Sequence, residues 1–129
     1  MNEIVLTIPY PPTVNHYKRI GRTITTKRGK IVQTRVNTDA TKRFYYEVWA
    51  LSRGKVKESL GEALIKLKLD IYPPDKRKRD IDNIIKPTID SLMNSGLFND
   101  DSQICLLVVT RCPIIESGQV IVTISPLGD

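Results

Sequence analysis

Cysteine and histidine are scarce in this sequence of 129 residues, and their scarcity argues against two kinds of site. The chain has two cysteines, Cys105 and Cys112, and one histidine, His16. This spacing matches no zinc-binding pattern, and two thiols in a cytoplasmic protein are more often buried or inert than bridged. A single histidine also leaves no evident base to activate a serine or cysteine nucleophile. We therefore interpret both cysteines as structural.

The sequence also lacks a long apolar run. No segment approaches the roughly 20 residues that cross a bilayer, and Met1-Asn2-Glu3 lacks the basic-then-apolar order of a secretion signal. The length suits one compact domain with a modest core. We therefore predict a single domain over residues 1–129, in a soluble cytoplasmic protein without membrane contact.

Acidic residues are few in the first half of the chain. The net charge is +6, and residues 1–60 carry twelve Lys or Arg against four acids, whereas residues 61–129 carry eight against ten. A patch of one sign attracts polyanions. A solvated basic loop or a surface for acidic lipid would give the same pattern, but we favour nucleic acid because a second basic cluster lies beside a set of acids. Seven basic residues and no acid lie between His16 and Arg35: Lys18, Arg19, Arg22, Lys27, Arg28, Lys30 and Arg35.

The first half of the chain predicts a strand, a basic excursion and a helix. The strand runs from Glu3 to Ile8 and is stopped by prolines. Residues 13–35 are rich in Thr and Gly, which indicates an irregular or hairpin-like excursion rather than a core element. Thr38 or Asp39 could cap a helix that continues to about Ser52. Phe44, Val48 and Leu51 would form the apolar face of this helix, and Gly54 would help to end it.

The second half predicts a strand, a helix and two further strands. Residues 63–72 alternate as in a half-buried strand, and strands are also expected near 103–111 and 119–125, joined through Pro113 and Gly118. Between them lies an apolar pattern of helical spacing that Gly96 would close. The fold class is therefore α+β, with a mixed or mostly antiparallel sheet and two main helices. The apolar positions of the strand at 63–72 are Ala63, Ile65, Leu67, Leu69 and Ile71. Those of the helix are Ile81, Ile84, Ile85, Ile89, Leu92 and Met93.

Pro87 lies inside this second helical pattern, where it conflicts with a helix that has already begun. Either Asp82 caps a helix that tolerates Pro87 in an early turn, or the regular helix starts with Pro87 at its first position. The sequence leaves both alternatives open.

A cluster of acids next to basic residues carries the chemical signal. Asp80 and Asp82 lie two apart at the mouth of the second helix, and Asp100 or Asp101 would bring a third acid from the start of the next strand. Mg²⁺ prefers hard oxygen ligands and usually binds one or two carboxylates with waters and a substrate phosphate. Two ions bound in this way could activate a water and stabilise the leaving oxygen of a phosphodiester.

Basic residues complete the cluster. Lys76, Arg77, Lys78 and Arg79 directly precede the acids and would hold backbone phosphates. Lys86, four residues after Asp82, would share its helix face and could neutralise charge in the transition state. An Asp-x-Asp pair alone is more often a helix cap, and a basic run is usually a solvated loop. Here a basic run, paired acids, a spaced lysine and a later acidic pair occur together. This combination makes a simple helix cap or solvated loop the weaker interpretation.

The segment from Pro74 to Ile104 resembles the RusA family of Holliday junction resolvases. The shared pattern is a proline, a basic run, Asp-hydrophobic-Asp-Asn, a lysine, an Asp, a Gly with a hydrophobic pair, and Asp-Asp-x-Gln. The opening from Ile8 to Tyr17 is also similar, with a strand followed by Pro-Pro and an Asn-containing loop. The matching residues are Lys76 to Arg79, Asp80-Ile81-Asp82-Asn83, Lys86, Asp90, Gly96-Leu97-Phe98 and Asp100-Asp101-Ser102-Gln103.

This resemblance implies a function and a site. Asp80, Asp82 and Asp101 would bind Mg²⁺, which Mn²⁺ could replace, and Lys86 would be essential for cleavage. The resemblance also implies a homodimer that makes paired, symmetric nicks in four-way junction DNA during recombination and repair. The alternative is a non-catalytic protein that binds junctions or single-stranded DNA. The expected DNA contacts are Lys76, Arg77, Lys78 and Arg79 with Asn15, Tyr17, Lys18 and Arg19.

Overall fold

The computed structural model describes residues 3–12, 18–25, 27–55 and 58–127, with the backbone alone for 18–24 and 31–36. Six strands and two α-helices are found in these ranges. In chain order they are β1 (Ile4–Pro9), β2 (Lys18–Thr25), β3 (Ile31–Asn37), α1 (Asp39–Lys55), β4 (Ile65–Tyr72), α2 (Ile85–Asn94), β5 (Ile104–Arg111) and β6 (Gln119–Pro126).

Four strands form one mixed sheet in the order β1-β6-β4-β5. β6 pairs antiparallel with both β1 and β4, while β4 and β5 are parallel. A parallel pair needs a crossover, and α2 supplies it between β4 and β5. The prediction of a small α+β domain with two main helices is confirmed, and its sheet is the mixed alternative.

The core lies under one face of this sheet. β4 and β6 alternate buried and half-buried residues along their length, as a strand with one covered face requires. α1 packs on β1 and α2, and it buries Phe44 and Val48 as predicted. The strand that was expected from residue 63 begins only at Ile65, and Ala63 lies exposed in the loop before it.

Two predictions for α1 were wrong. Leu51 is 39% exposed, and Ser52 is buried in its place. The buried face of α1 consists of Thr41, Phe44, Val48 and Ser52, which recur every three or four residues. Ser52 therefore points into the core, and Leu51 beside it points outward. The hydroxyl of Ser52 donates to the Trp49 carbonyl at 2.8 Å, which satisfies it inside the core. Gly54 lies within the helix and does not end it.

The basic excursion takes the hairpin form. β2 and β3 pair antiparallel as a separate two-stranded sheet, with a register irregularity between Ile20 and Thr23. The seven basic residues between His16 and Arg35 therefore fall on or beside a ribbon outside the main sheet. This agrees with the prediction that the segment is no core element.

A short 3-10 turn resolves the conflict at Pro87. The turn spans Ile81–Ile84, and α2 begins directly after it. Pro87 is thus the third residue of α2, where a main-chain N–H has no partner inside the helix and its loss costs little. The early-turn alternative was right about Pro87 but wrong about Asp82, because Ile84 occupies the N-cap position. Gly96 follows α2 with φ +80°, the left-handed conformation that was predicted.

Two other expectations concern the thiols and the membrane. Both cysteines are free, with Cys105 exposed and Cys112 half-buried. Within the described ranges, no helix combines the length and the apolar character needed to cross a bilayer.

Candidate active site

An open groove along the start of α2 collects three of the four predicted catalytic residues. Asp82 lies in the 3-10 turn before α2, Lys86 in its first turn, and Asp101 at the start of a second 3-10 turn that precedes β5. The groove has a volume of about 380 Å³, and Ile85, Ile89 and Asp90 complete its lining. Residues separated by nineteen positions in the sequence therefore share one surface depression.

Lys86 pairs with Asp90, a carboxylate that its spacing from Asp82 did not predict. Its ammonium lies 3.3 Å from the Asp90 carboxylate, one helical turn later, and not against Asp82. The Lys86 side chain is 63% exposed, so this pair contributes little to stability. Its effect is to hold the ammonium over the groove. The four-residue spacing of Lys86 and Asp90 is the feature of the sequence from which this pair could have been predicted.

Asp101 is positioned by a buried amide. Gln103 is 7% exposed, and its Oε1 accepts from the main-chain N–H of Asn99 at 2.8 Å and of Asp100 at 2.7 Å. Its Nε2 donates to the carbonyls of Gly61 at 2.8 Å and Ala63 at 2.7 Å. This one side chain therefore ties the turn that carries Asp101 to the loop before β4.

Asp100 faces its own turn. Its carboxylate accepts a hydrogen bond from the Ser102 hydroxyl, which is the main cause that lowers the pKa of Asp100. Asp100 is not among the residues that line the groove. This geometry agrees with a structural role for Asp100 and leaves Asp101 as the acid of this pair that faces the groove.

Asp80 lies in a neighbouring cavity. This second cavity, of about 330 Å³, is lined by Asp80 together with residues of the basic run, the end of β5 and the loop after β1. Arg79 forms one wall: its Nη1 donates to the Asp75 carboxylate at 2.7 Å, and its guanidinium lies 5.7 Å from the centre of the Tyr10 ring. The hydrogen bond from Arg79 holds the pKa of Asp75 down at about 2.

The predicted DNA-binding residues differ in their exposure and in whether the structure describes their side chains. Lys76, Arg77 and Lys78 are exposed, but the Arg79 side chain is only 17% exposed and is engaged with Asp75. Asn15 and Tyr17 lie outside the described residues. Lys18 and Arg19 belong to β2, of which the backbone alone is described.

The acids offer ligands suited to Mg²⁺ without enclosing an ion. Among residues 3–12, 18–25, 27–55 and 58–127, no three Asp, Glu, His or Cys side chains lie close enough to hold a metal together. Within the same ranges, no ion pair occupies Asp80, Asp82 or Asp101. One or two carboxylates, completed by waters and substrate phosphates, are a common protein contribution to a Mg²⁺ site. The donor chemistry therefore fits the ion, while one chain does not bring all three predicted ligands around one point.

Comparison with known proteins identifies the family. The family model for endodeoxyribonuclease RusA matches residues 9–125. The chain belongs to this family. The matched range contains the groove, the second cavity and the whole basic run, so the resemblance extends from the acidic motif over most of this chain.

Individual relatives of the RusA family match along nearly their entire length. The crossover junction endodeoxyribonuclease RusA of Escherichia coli strain K12 is 28% identical over 130 residues, covering 100% of this chain and 99% of that protein. The proteins of the same name from Enterobacteria phage 82 and Shigella sonnei strain Ss046 are 29% and 30% identical, with the same coverage.

Proposed function

We propose that this protein is a magnesium-dependent endonuclease that resolves four-way DNA junctions by paired, symmetric nicks. The observation that carries the proposal is the groove in which Asp82, Lys86 and Asp101 meet, within a chain of the RusA family. Full-length relatives that are named crossover junction endodeoxyribonucleases support the choice of substrate.

The carboxylates are the proposed ligands of the metal. Asp82 and Asp101 would hold Mg²⁺ from the groove, and Asp80 would join them from the adjoining cavity. When bound, the ion would supply Lewis-acid activation of the phosphodiester and of the attacking water. The remaining coordination positions would be filled by waters and junction phosphate oxygens, or by a side chain of a second protomer.

The cations have two separate roles in this proposal. The Lys86 ammonium, held by Asp90 at 3.3 Å, would neutralise charge on the scissile phosphate as it develops. Lys76, Arg77 and Lys78 are exposed beside Asp80 and would bind the flanking backbone phosphates. Binding and cleavage would thus depend on different residues.

The alternative is a protein that binds junctions without cutting them. The observation in its favour is that the described residues hold no preformed cluster of three metal ligands. The test is incubation of a synthetic four-way junction with the protein in Mg²⁺, in Mn²⁺ and in EDTA. We expect symmetric nicks with either metal and binding alone in EDTA. Binding without nicks under every condition would support the alternative.

A further inference from the structure

A side chain from the far end of the sheet holds the main chain directly before Asp80. Arg111 is the last residue of β5, and its Nη2 donates to the carbonyl oxygen of Arg79 at 2.6 Å. That carbonyl belongs to the peptide group that joins Arg79 to Asp80. A charged donor makes this a stronger hydrogen bond than one between neutral groups.

The peptide on the other side of Asp80 is held as well. The Asp80 carbonyl accepts from the Asn83 N–H at 3.1 Å, as the 3-10 turn begins. Asp80 itself has extended backbone angles, φ −71° and ψ 138°. With both flanking carbonyls bound, the direction in which the Asp80 side chain leaves the backbone is fixed.

The loop that leads to Asp80 is closed independently by Asp75. Its carboxylate accepts from Arg79 Nη1 at 2.7 Å and from the Arg77 main-chain N–H at 2.9 Å. This closure shapes residues 75–79 but makes no contact with the Arg79 carbonyl. Arg111 therefore connects this loop to the sheet at the peptide group directly before Asp80.

We propose that Arg111 is a positioning residue for Asp80, and that it sets the direction of this carboxylate through the Arg79 carbonyl. The inference rests on the proposed function, in which Asp80 is a metal ligand. The rival role for an exposed cation in the same cavity is a direct contact with a DNA phosphate. The two roles predict different consequences when the side chain is removed.

The first experiment measures cleavage and binding by Arg111→Ala. We expect the single-turnover rate on a pre-bound junction to fall on the order of 10- to 100-fold, as small misplacements at reactive centres do. The Mg²⁺ concentration for half-maximal rate should rise. Binding in EDTA and its salt dependence should stay as in the wild type, because the guanidinium is engaged with the protein. Arg111→Lys should recover part of the rate, since an ammonium can still donate to the carbonyl.

Arg53→Ala is the matched control. The Arg53 guanidinium donates to the Ser95 carbonyl at 2.7 Å, which is the same kind of bond at the other end of α2. Arg53 does not line the groove or the Asp80 cavity. Its loss should leave the cleavage rate and the metal requirement unchanged, so any effect of Arg111→Ala is not that of a lost arginine–carbonyl bond in general.

Two measurements test the positioning role of Arg111 without relying on DNA cleavage. Mn²⁺ titration of the DNA-free protein by calorimetry should show weaker binding in Arg111→Ala, and amide hydrogen exchange should be faster across residues 79–84. Thermal unfolding checks the fold, and Arg111→Lys carries the test if the alanine variant is unfolded.

The outcomes separate the two proposals. If Arg111→Ala cuts a saturated junction at the wild-type rate but loses about one unit of salt slope, Arg111 contacts DNA and the positioning role is overturned. If the wild type itself never cuts, the proposed function fails. In that case unchanged exchange across residues 79–84 in Arg111→Ala would also overturn the positioning role, and faster exchange would support it.

Discussion

The three aspartates differ in where they lie, although they were predicted to share one task. Asp82 and Asp101 line the groove, and Asp80 lines the cavity beside it. A carboxylate that faces a phosphate opposes DNA binding by charge repulsion, and in the proposed function it would assist catalysis by holding a metal. Each residue can therefore be tested by separating binding from cutting.

We expect Asp80→Asn, Asp82→Asn and Asp101→Asn each to reduce cleavage by more than about 100-fold, beyond the usual effect of losing an outer partner of a metal ligand. Junction binding should be unchanged or tighter, since negative charge is removed. Gel-shift titration in EDTA and cleavage in Mg²⁺ measure the two effects. Asp100→Asn is the control and should retain activity, because its carboxylate bonds Ser102 within its own turn. A variant that cuts normally would exclude its residue from the site.

Lys86 offers a second test at the residue scale. Lys86→Ala should lose single-turnover cleavage of a pre-bound junction, which removes binding from the measured rate. Lys86→Arg should recover little, because a planar guanidinium does not replace a compact ammonium. Stability should hardly change, because the Lys86 side chain is 63% exposed. Near wild-type turnover by Lys86→Ala would show that the pair is only a surface contact.

At the scale of elements, the turn between α2 and β5 depends on Gln103. Gln103→Leu would leave two main-chain N–H groups and two carbonyls without their side-chain partner. We expect a loss of unfolding free energy on the order of 1–3 kcal/mol, typical of buried groups whose partner is removed. Urea unfolding measures it. Gln103→Glu is the informative companion, since it keeps the acceptor but cannot donate to Gly61 and Ala63 when ionised. Wild-type stability in both variants would contradict this account.

The loop before Asp80 should respond to acid. The pKa of Asp75 is about 2 in the folded protein, below its ordinary value of 3.8, because Arg79 donates to the carboxylate. A lowered folded pKa means that the stabilising contribution is complete above the ordinary value and is lost as pH falls towards 2. The difference in unfolding free energy between wild type and Asp75→Asn should therefore be largest at about pH 6 and shrink between about pH 4 and 2. A difference that is constant across this range would argue against the ion pair.

At the scale of the whole molecule, the proposed substrate has two-fold symmetry, and a homodimer would match it with one site per strand. In heterodimers of wild-type and Asp80→Asn chains, we expect one active site, hence nicks in a single strand without resolution. Tagged chains that are refolded together and purified by both tags supply the sample, and denaturing gels with either strand labelled give the readout. Sedimentation of the wild type checks the dimer directly. Paired nicks from the heterodimer would mean that one site serves both strands.

Much of the fold could be predicted from the sequence because it is encoded locally. Alternation marked β4, prolines and turn residues marked the bounds of other strands, helical spacing marked both helices, and Gly96 marked the end of α2. These signals depend on neighbours within a few residues. The error at Leu51 arose where two adjacent residues of α1 competed for one buried position, which Ser52 occupies. The error at Asp82 arose because a 3-10 turn precedes α2 and moves its N-cap to Ile84. The metal-binding roles of Asp80, Asp82 and Asp101 stay predictions.

The sequence by itself determined the family, the order of elements and the presence of acids beside a basic run, since residue type and spacing suffice for each. Only the tertiary structure decided which residues meet. It inserted β6 between β1 and β4, placed Asp80 and Asp82 in different cavities, and brought Arg111 to Arg79 and Gln103 to Gly61 across 32 and 42 positions. Such contacts follow from the packing of the complete sheet, whose long-range pairings have no periodic trace in the sequence.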